Sequence, residues 1–470
     1  MRPRAVIVGA SLAGLRAAEA LREGGHDGPL TIVGAERHLP YDRPPLSKQV
    51  LTGKAEAGDV ALCLDDHLGA EWLLGRAASG LDLATKQVLL AGPEAAPRPG
   101  LPTGISRPPG AGSHLPFDLL VIATGAHPRT LPGFDAGDGV HYLRTLDDAL
   151  ELRLGLERAA EVVVIGGGFI GLEVASSAHA RGARATVLEA LPVPLQRTVG
   201  ATVGAAITGL HERRGVDVRT GVSVAALLRA GRKPNWRVPS RAGVGTPAGA
   251  ETGDSGHGQV EGVLLADGTV VAADLVVVGV GVSPATGWLD GSGVDLADGV
   301  VCDQSLRVMA GGHPVAGVVA AGDVARWPHP GYREAVRIEH WTNAAEQGAV
   351  AARSLLEGDR APAYAPTPYF WSDQHGLKIQ MVGHPLPGDD VAVIEGTLGE
   401  DRFVVAYGRA GRLVAALGVR RPAMVMALQQ MIASGAAFPP AIDSPKAHPG
   451  AKPASPAPPP APGAGSAAGA

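Results

Sequence analysis

The residues best placed to do chemistry are three glycines and an acid in the middle of the chain. Gly166, Gly168 and Gly171 follow a run of β-branched residues. Glycine at this spacing permits a tight turn, close approach of the backbone to a pyrophosphate, and packing of the next helix on the strand. Glu189 ends the following apolar stretch, where a carboxylate can accept hydrogen bonds from an adenosine ribose. The pattern therefore predicts a dinucleotide-binding unit in preference to a purely structural turn.

A second pattern of the same kind lies near the N-terminus. Gly9 and Gly14 follow the apolar run AVIV, and Ser11 stands where the middle glycine is expected. The serine adds a side chain where the backbone should approach phosphate, which weakens the pattern when it is taken alone. Support comes from Glu36, which ends the apolar stretch LTIVGAE and suits a ribose in the same way as Glu189. Two separate nucleotide sites are therefore predicted.

The elements that would position these residues follow from apolar runs and helical periodicity. Residues 117–129 are predicted to form a buried strand that ends in a turn containing Thr124 and Gly125. Loops at the carboxyl ends of parallel strands contact ligands in open α/β sheets, so this turn is expected to face the first nucleotide. Comparable patterns predict strands at 274–281 and 317–323, helices at 144–158, 339–356 and 425–433, and alternating strands from residue 364 onward.

Composition sets the broad class of the protein. A chain of 470 residues is too long for one ordinary domain and can bury a large core. Its 45% hydrophobic residues include few aromatics, so the apolar residues are mainly the Ala, Val and Leu that parallel sheets require. The net charge of −5 argues against nucleic acid as a ligand. With no long apolar run and no signal peptide in view, we predict a cytoplasmic protein without membrane contact.

Segments rich in glycine and proline, and the two cysteines, restrict the possibilities further. Residues 91–116 and 229–259 are predicted to be exposed insertions, and residues 439–470 a disordered tail. Cys63 and Cys302 form no CxxC pair, so no redox dithiol is predicted. Cys63 is interpreted as a core residue, and no metal site is predicted.

Seven motifs in fixed order carry a family resemblance. The set GASLAG, YDRPPLSK, ATG, GGGFIGLE, VVGVG, AAGD and FWSDQ resembles the flavoprotein ferredoxin reductases of the putidaredoxin reductase type, which serve Rieske dioxygenases and bacterial cytochromes P450. The similarity covers about residues 4–435, apart from the two insertions. It implies an α/β fold of the glutathione reductase type, with two nucleotide-binding Rossmann-like domains, for FAD and NAD(H), and a C-terminal α+β interface domain. The implied boundaries are 1–143 and 283–363 for the two segments of the FAD domain, 144–282 for the NAD(H) domain, 364–438 for the C-terminal domain and 439–470 for the tail.

The resemblance also implies which residues contact the cofactors. FAD would be held by Gly9, Ser11, Ala13, Gly14, Glu36, Arg43, Pro45, Lys48, Thr124, Gly125, Arg129, Asp323 and Trp341. NAD(H) would be held by Gly166, Gly168, Phe169, Ile170, Gly171, Glu173, Glu189 and Gly281. Lys48 and Glu173 are the implied catalytic pair, expected within ion-pair distance where the nicotinamide meets the flavin. Lys48 would place positive charge beside the flavin N5.

The implied activity is transfer of electrons from NADH through FAD to a [2Fe–2S] ferredoxin, in a short-lived complex, by a monomer or homodimer. Glu189 favours NADH, because a carboxylate repels the 2′-phosphate of NADPH, whereas Arg184 and Arg197 would act against this preference. The residues predicted to dock the ferredoxin are Arg326, Arg333, Arg337, Trp371, Lys378, Arg420 and Arg421.

Other functions on the same fold remain open at this point. A disulfide reductase needs a dithiol beside the flavin, which this sequence does not encode. An NADH oxidase, the NADH-binding flavoprotein of a nitrite reductase system, or a redox-sensing flavoprotein would all carry the same nucleotide motifs.

Overall fold

The computed structural model describes residues 2–91, 113–231 and 258–441. Before the second nucleotide unit its strands are β1 (Ala5–Val8), β2 (Leu30–Gly34), β3 (Glu71–Leu74), β4 (Ala78–Asp82), β5 (Gln87–Leu90), β6 (His114–Pro116), β7 (Leu119–Ile122), β8 (Ala126–Pro128) and β9 (Val140–Tyr142). The next are β10 (Glu161–Ile165), β11 (Arg184–Glu189), β12 (Asp217–Thr220), β13 (Val224–Arg229), β14 (Val260–Leu265), β15 (Val270–Ala272), β16 (Leu275–Val278) and β17 (Val282–Pro284).

The remaining strands are β18 (Val300–Val301), β19 (Arg307–Ala310), β20 (His313–Ala320), β21 (Ala325–His329), β22 (Glu334–Val336), β23 (Tyr369–Gln374), β24 (Leu377–Gly383), β25 (Asp390–Gly396), β26 (Phe403–Arg409) and β27 (Arg412–Val419). The α-helices are α1 (Leu12–Glu23), α2 (Leu146–Leu156), α3 (Phe169–Ala180), α4 (Gln196–Glu212), α5 (Trp341–Glu357) and α6 (Pro422–Ala433).

The first sheet joins two distant segments of the chain. Its strand order is β19-β20-β7-β1-β2-β3, and the pairs β20–β7, β7–β1, β1–β2 and β2–β3 are parallel. Strands β1 and β2 are buried along their whole length, as expected of parallel strands covered by helices. Helices α1 and α5 pack closely on each other, so the second segment completes the layer begun by the first.

The second sheet is parallel throughout, in the order β12-β11-β10-β16-β9. Its edge strand β9 lies just before residue 144, so the sheet begins slightly earlier in the chain than the implied domain boundary. Helix α2 starts at a capping box in which the side chains of Thr145 and Asp148 accept each other's backbone N–H groups. The predicted helix at residues 144–158 is α2, and the predicted strand at 274–281 is β16.

The C-terminal region forms an antiparallel sheet in the order β23-β24-β27-β26-β25. Helix α6 packs on this sheet through Val425 and Leu428, with Pro422 at its first turn, where a missing N–H costs nothing. The predicted α/β fold with an additional α+β domain is therefore confirmed.

Two sequence-based interpretations need correction. Cys63 is exposed rather than buried, because Leu62 and Leu64 on either side of it pack against the core and turn its side chain outward. Residues 114–116 were predicted to belong to an exposed insertion but form β6, which pairs with β5. Residues 92–112, 232–257 and 442–470 lie outside the described residues, and with them most of both insertions and of the tail. Among the described helices, none has the length and apolar character that crossing a membrane requires.

Candidate active site

A cavity of about 690 Å³ lies where the three domains meet. Its wall includes Gly9, Ser11, Ala13, Glu36, Arg43, Lys48, Thr124, Gly125, Phe169, Ile170, Glu173, Asp323 and Trp341 from the predicted set. The predicted residues outside this wall are Gly14, Pro45, Arg129, Gly166, Gly168, Gly171, Glu189 and Gly281. Most residues proposed for FAD are therefore brought together, whereas most residues proposed for NAD(H) lie beside the cavity.

The turn after β1 has no space for larger side chains. Gly9 adopts a φ of +126°, and a Cβ there would lie 2.0 Å from the carbonyl oxygen of Ala123. A Cβ on Gly14 would lie 1.9 Å from the carbonyl oxygen of Gly9. Helix α1 starts directly after this turn with no acidic residue in its first turn and no side-chain cap. Its N-terminal N–H groups are therefore available to an anion such as a pyrophosphate.

Ser11, the departure from the glycine pattern, has a partner elsewhere in the chain. Its hydroxyl accepts a hydrogen bond from the Arg43 guanidinium at 3.2 Å. Arg43 also donates to Glu36 at 2.9 Å, and Tyr41 donates to the other oxygen of the same carboxylate. Glu36, predicted to bind a ribose, is thus held in position by two side chains from the YDRPPLSK motif.

The second chain segment contributes an acid and a helix end. Asp323 pairs with Arg144 at 2.6 Å, and Trp341 donates its indole N–H to Asp42 at 2.7 Å. Helix α5 begins at Trp341 without a side-chain cap or an acidic residue in its first turn, and Ala344 of that turn also lines the cavity. A second helix N-terminus therefore faces the cavity. Arg144 was missed by sequence reasoning because a lone arginine before a helix belongs to no nucleotide motif.

The implied catalytic pair is present. Lys48 lies on a single π-helical turn, Leu46–Val50, a distortion that is frequent at functional sites. Its ammonium group is 2.9 Å from Glu173 Oε2 and 3.0 Å from the carbonyl oxygen of Pro44. The 2.9 Å distance confirms the prediction that Lys48 and Glu173 form an ion pair. Their side chains are only 10% and 5% exposed, so the pair is buried. Pro45 precedes the turn and serves as its N-cap residue.

The second glycine turn repeats the geometry of the first. Gly166 has a φ of +104°, and a Cβ there would lie 2.4 Å from the carbonyl oxygen of Gly279. A Cβ on Gly171 would lie 2.2 Å from the carbonyl oxygen of Gly166, so the helix packs closely on the strand. Helix α3 begins after Gly168 with no side-chain cap and no acidic residue in its first turn. Phe169 and Ile170 of that first turn extend the site to the cavity wall.

Glu189 lies beside this turn. Its two oxygens accept backbone N–H groups from Gly167 and Leu191, each at 2.7 Å. A carboxylate has about four acceptor positions, so two are left for ribose hydroxyls. Arg184 is at the opposite end of β11, paired with Glu161, whereas Arg197 is exposed at the start of α4.

Arg129 and Gly281, which were predicted to contact the cofactors, do not line the cavity. Arg129 donates its backbone N–H to the carbonyl oxygen of Gly281 and its side-chain Nε to that of Val282. These bonds join β8 to β17, the two-stranded link between the first two domains. Arg129 and Gly281 are therefore placed to connect domains.

Aromatic rings close one side of the cavity. The rings of Phe169 and Phe370 are 4.3 Å apart between centroids, and His340 lies 5.2 Å from Phe370. Burial lowers the pKa of His340 to about 4, so this ring is neutral at pH 7. Phe169, Phe370 and the neutral His340 ring thus form an aromatic, uncharged part of the cavity wall.

The residues present fit a flavin dinucleotide. Two uncapped helix N-termini can face phosphate charge, Glu36 can accept ribose hydroxyls, and the glycine turn allows the backbone to approach closely. Glu36 and Arg43 also neutralise each other, so no unpaired charge opposes a neutral ring system there.

Comparisons with known proteins agree with this geometry. The pyridine nucleotide-disulphide oxidoreductase family matches residues 3–348, and the reductase C-terminal family matches residues 369–447. The chain is 38% identical to the ferredoxin–NAD(+) reductase component of the anthranilate 1,2-dioxygenase system of Burkholderia cepacia, covering 92% of this chain and 94% of that protein. It is 32% identical to putidaredoxin reductase of Pseudomonas putida, covering 91% of each chain.

A solved structure supports the same assignment. The reductase in the covalent putidaredoxin reductase–putidaredoxin complex superposes with a TM-score of 0.78 at 31% identity, covering 92% of this chain and 93% of that one. The resemblance seen in the motifs is confirmed. The chain belongs to the pyridine nucleotide-disulphide oxidoreductase family, among the ferredoxin reductases of the putidaredoxin reductase type, and as a member of that group it uses FAD and NAD(H).

Proposed function

We propose that this protein transfers electrons from NADH through FAD to a [2Fe–2S] ferredoxin that serves a Rieske dioxygenase or a cytochrome P450. The observation that carries the proposal is the buried Lys48–Glu173 pair, located where the two nucleotide units meet. A cytoplasmic location and a monomeric or homodimeric state are parts of the same proposal.

The positions of the cysteines favour an external electron acceptor. A dithiol enzyme would need thiols at the cavity, but Cys63 is exposed and Cys302 is buried in the first domain, and neither lines the cavity. Burial also raises the pKa of the Cys302 thiol, which keeps it protonated and unreactive. The π turn presents Ser47 and Lys48 to Glu173 and no sulfur. Electrons therefore have no thiol acceptor at the cavity.

Bound FAD would supply a ring system that takes a hydride and returns two electrons one at a time. The protein's part is to orient and to stabilise charge. Lys48, fixed by Glu173 and the carbonyl oxygen of Pro44, provides a buried positive charge at the cavity wall. The N-terminus of α5 adds a favourable dipole for negative charge. Phe169 and Phe370, whose rings are in contact at the cavity wall, would keep water away from a nicotinamide bound beside them.

Glu189 supports a preference for NADH over NADPH. Its carboxylate is held in orientation by two backbone N–H groups and keeps acceptor positions for the 2′- and 3′-hydroxyls. Of the two cations that could favour a 2′-phosphate, Arg184 is committed to Glu161 at the far end of the strand. Arg197 is the remaining candidate.

The predicted ferredoxin-docking cations separate into two groups. Arg326, Arg337 and Arg421 are engaged within the protein, by Ala297, by Asp298 and Glu339, and by Glu395 respectively. Arg333, Lys378 and Arg420 are exposed.

The strongest docking candidate lies on the C-terminal sheet. Lys378 is 5.8 Å from the ring centre of Trp371, a residue of the cavity wall, and it also pairs with Asp373 at 3.2 Å. Arg420 donates its backbone N–H to the carbonyl oxygen of Lys378, so the two cations are neighbours. Trp371, Lys378 and Arg420 form the proposed docking surface, a short basic patch at the edge of the cofactor cavity. Because the whole chain is acidic, local charge must guide an acidic ferredoxin.

The central experiment measures two half-reactions separately. NADH should reduce the bound FAD in anaerobic stopped-flow, and cytochrome c reduction should then depend on an added [2Fe–2S] ferredoxin. Rapid oxygen consumption without ferredoxin would indicate an NADH oxidase instead. Slow turnover with every acceptor, combined with a stable reduced state, would favour a redox sensor.

The docking surface has its own test. The double variant Lys378→Glu/Arg420→Glu should slow ferredoxin reduction at low ionic strength by about tenfold or more and flatten its salt dependence. Reduction of FAD by NADH should stay unchanged. Lys86→Glu, an exposed lysine in the turn between β4 and β5, is the matched control. If the double variant keeps the wild-type rate and salt dependence, the ferredoxin binds elsewhere.

A further inference from the structure

The carboxylate of Glu173 receives donors from two separate parts of the chain. Glu173 Oε2 accepts the hydroxyl of Ser47 and contacts the ammonium group of Lys48. Its other oxygen, Oε1, accepts the hydroxyl of Ser372, which lies on β23 of the C-terminal domain. One oxygen of the implied catalytic acid therefore depends on the first domain and the other on the third.

The hydrogen bonds continue beyond Ser372 into the protein interior. The side-chain amide of Gln374 donates to the Ser372 hydroxyl at 3.0 Å, and its carbonyl oxygen is 2.8 Å from Nε2 of His211. His211 Nδ1 is 3.0 Å from Nε2 of His375. Ser372, Gln374 and His211 are all 0% exposed. These four residues form a continuous chain, called here the Glu173 support chain.

The sequence of β23 explains how the chain is assembled. Residues two apart on a strand point to the same face, so Ser372 and Gln374 face α3 and α4 together, whereas Trp371 points the other way. His211 is on the last turn of α4, and His375 follows β23 directly. Strand alternation thus places Phe370, Ser372 and Gln374 of the motif FWSDQ on the face towards α3 and Trp371 on the other face, and both aromatic rings line the cavity.

Every hydrogen bond in the support chain runs in one direction. The side-chain nitrogen of Gln374 donates to the Ser372 hydroxyl, so the group that faces His211 is the Gln374 carbonyl oxygen. This oxygen can only accept, so His211 Nε2 must carry the hydrogen. Burial lowers the pKa of His211 to about 4, so the neutral ring offers Nδ1 as an acceptor for His375. Each member donates towards the carboxylate, so the chain ends in a hydroxyl that donates to Glu173 Oε1.

The central amide excludes a proton-conducting role. A carboxamide cannot pass a proton along the chain without leaving its stable bonding form, so protons arriving at the histidines would stop at Gln374. The chain can orient and polarise, but it cannot deliver protons to Glu173.

We propose that Ser372 and Gln374 are positioning residues that hold the Glu173 carboxylate directed at Lys48, with His211 and His375 as their anchor. The inference rests on the role given to Glu173 in the proposed function. With this role for Ser372 and Gln374, the C-terminal domain both covers the hydride-transfer site and contributes to its structure.

Three further titratable groups surround the two anchoring histidines. His375 faces His211 at 4.6 Å and His179 at 6.0 Å between ring centroids, and Arg214 and Asp401 contribute charge to the same cluster. Burial lowers the pKa of His375 to about 3, so both anchoring rings stay neutral above about pH 5. Both anchoring rings are therefore neutral at pH 7, where the variants are compared.

The test combines infrared difference spectroscopy with stopped-flow kinetics of the holoenzyme at pH 7. The carboxylate stretching band of Glu173 is assigned by its absence in Glu173→Gln. In Ser372→Ala this band should shift in frequency, because one carboxylate oxygen loses its hydrogen bond, and in Gln374→Met the shift should be smaller. Reduction of FAD by NADH should slow by about tenfold in Ser372→Ala, the effect of one lost hydrogen bond to a charged group, and by a smaller factor in Gln374→Met.

Matched controls separate positioning from general damage. Ser305→Ala removes a buried hydroxyl that donates to Ala361, and Gln380→Met removes a buried amide that donates to Tyr369. Both should leave the Glu173 band and the rate of FAD reduction unchanged. Ser372→Thr keeps the hydroxyl and should restore the wild-type band and rate, which also covers the case in which Ser372→Ala fails to fold.

The outcomes distinguish the two levels of the argument. A Glu173 band in Ser372→Ala and Gln374→Met that matches the band of the controls would overturn the positioning role. If the band shifts as expected but the FAD of Glu173→Gln is reduced by NADH at the wild-type rate, positioning stands and the catalytic role of Glu173 fails.

Discussion

Replacing Lys48 by Met should slow the reduction of FAD by NADH by about 100-fold, while leaving the fold intact. The ammonium group is 2.9 Å from the Glu173 carboxylate, and both side chains are at least nine-tenths buried. At an effective dielectric constant of about 20, unit charges at that distance attract by about 6 kcal/mol, part of which offsets the cost of removing them from water. Losing a fixed charge that stabilises a transition state typically costs about 3 kcal/mol, which corresponds to the expected 100-fold.

A double variant separates the two consequences of the substitution. Lys48→Met also leaves Glu173 buried without its counter-ion, which alone could distort the site. If that distortion caused the slowing, Lys48→Met/Glu173→Gln would be reduced as fast as Glu173→Gln alone, because the double variant holds no unpaired carboxylate. We expect the double variant to be slower than Glu173→Gln, because the missing cation is the cause. Reduction is followed by flavin absorbance in anaerobic stopped-flow, with the exposed Lys54→Met as control. A Lys48→Met rate within about threefold of wild type, or a double-variant rate equal to that of Glu173→Gln, would refute the reasoning.

Three further predictions concern electron capacity, coenzyme choice and acid stability. Dithionite should consume two electrons per FAD, and a requirement for four would reveal a second redox group. Glu189→Ala should lower the ratio of kcat/KM for NADH to kcat/KM for NADPH. An unchanged ratio would mean that Glu189 does not select the coenzyme and would leave Arg197 to be tested. Burial lowers the pKa of His211 to about 4, so the unfolded chain binds a proton first as the pH falls below about 6.5. The associated stability is complete above pH 6.5, and about 3 kcal/mol is lost by pH 4. His211→Gln should therefore flatten the fall of the holoenzyme's thermal midpoint between pH 6.5 and 4.5, relative to wild type and to the exposed His313→Gln; equal slopes would contradict this.

Local sequence patterns were sufficient to predict the two glycine turns of the nucleotide-binding units. Gly9 and Gly166 stand where a Cβ would collide with backbone, and that requirement is written directly in the spacing of strand, glycine and helix. Burial of parallel strands is equally local, because β1 and β16 are continuous apolar runs. The Lys48–Glu173 pair was expected only through the family resemblance, since the two residues are far apart in sequence.

Contacts between distant segments explain what sequence reasoning missed. Ser11 looked like a defect in its motif, but its hydroxyl is bound by Arg43. Arg144 carries no signal of its own and acquires a role only because β20 brings Asp323 to the same cavity. Cys63 was misjudged because its irregular segment has no period from which its direction could be predicted.

The Lys48–Glu173 pair and its hydrogen bonds are assembled from three domains. Glu173 lies on a helix of the second domain, Lys48 on a turn of the first, and Ser372 on an edge strand of the third. A buried carboxylate and a buried ammonium are each costly when unpaired, so neither is stable in its position before the other arrives. The ion pair can therefore form only when the first two domains have docked, and Glu173 gains its hydrogen bond from Ser372 only when the third has docked as well. Trp371 of the proposed docking surface and Ser372, the donor to Glu173, are adjacent residues of β23.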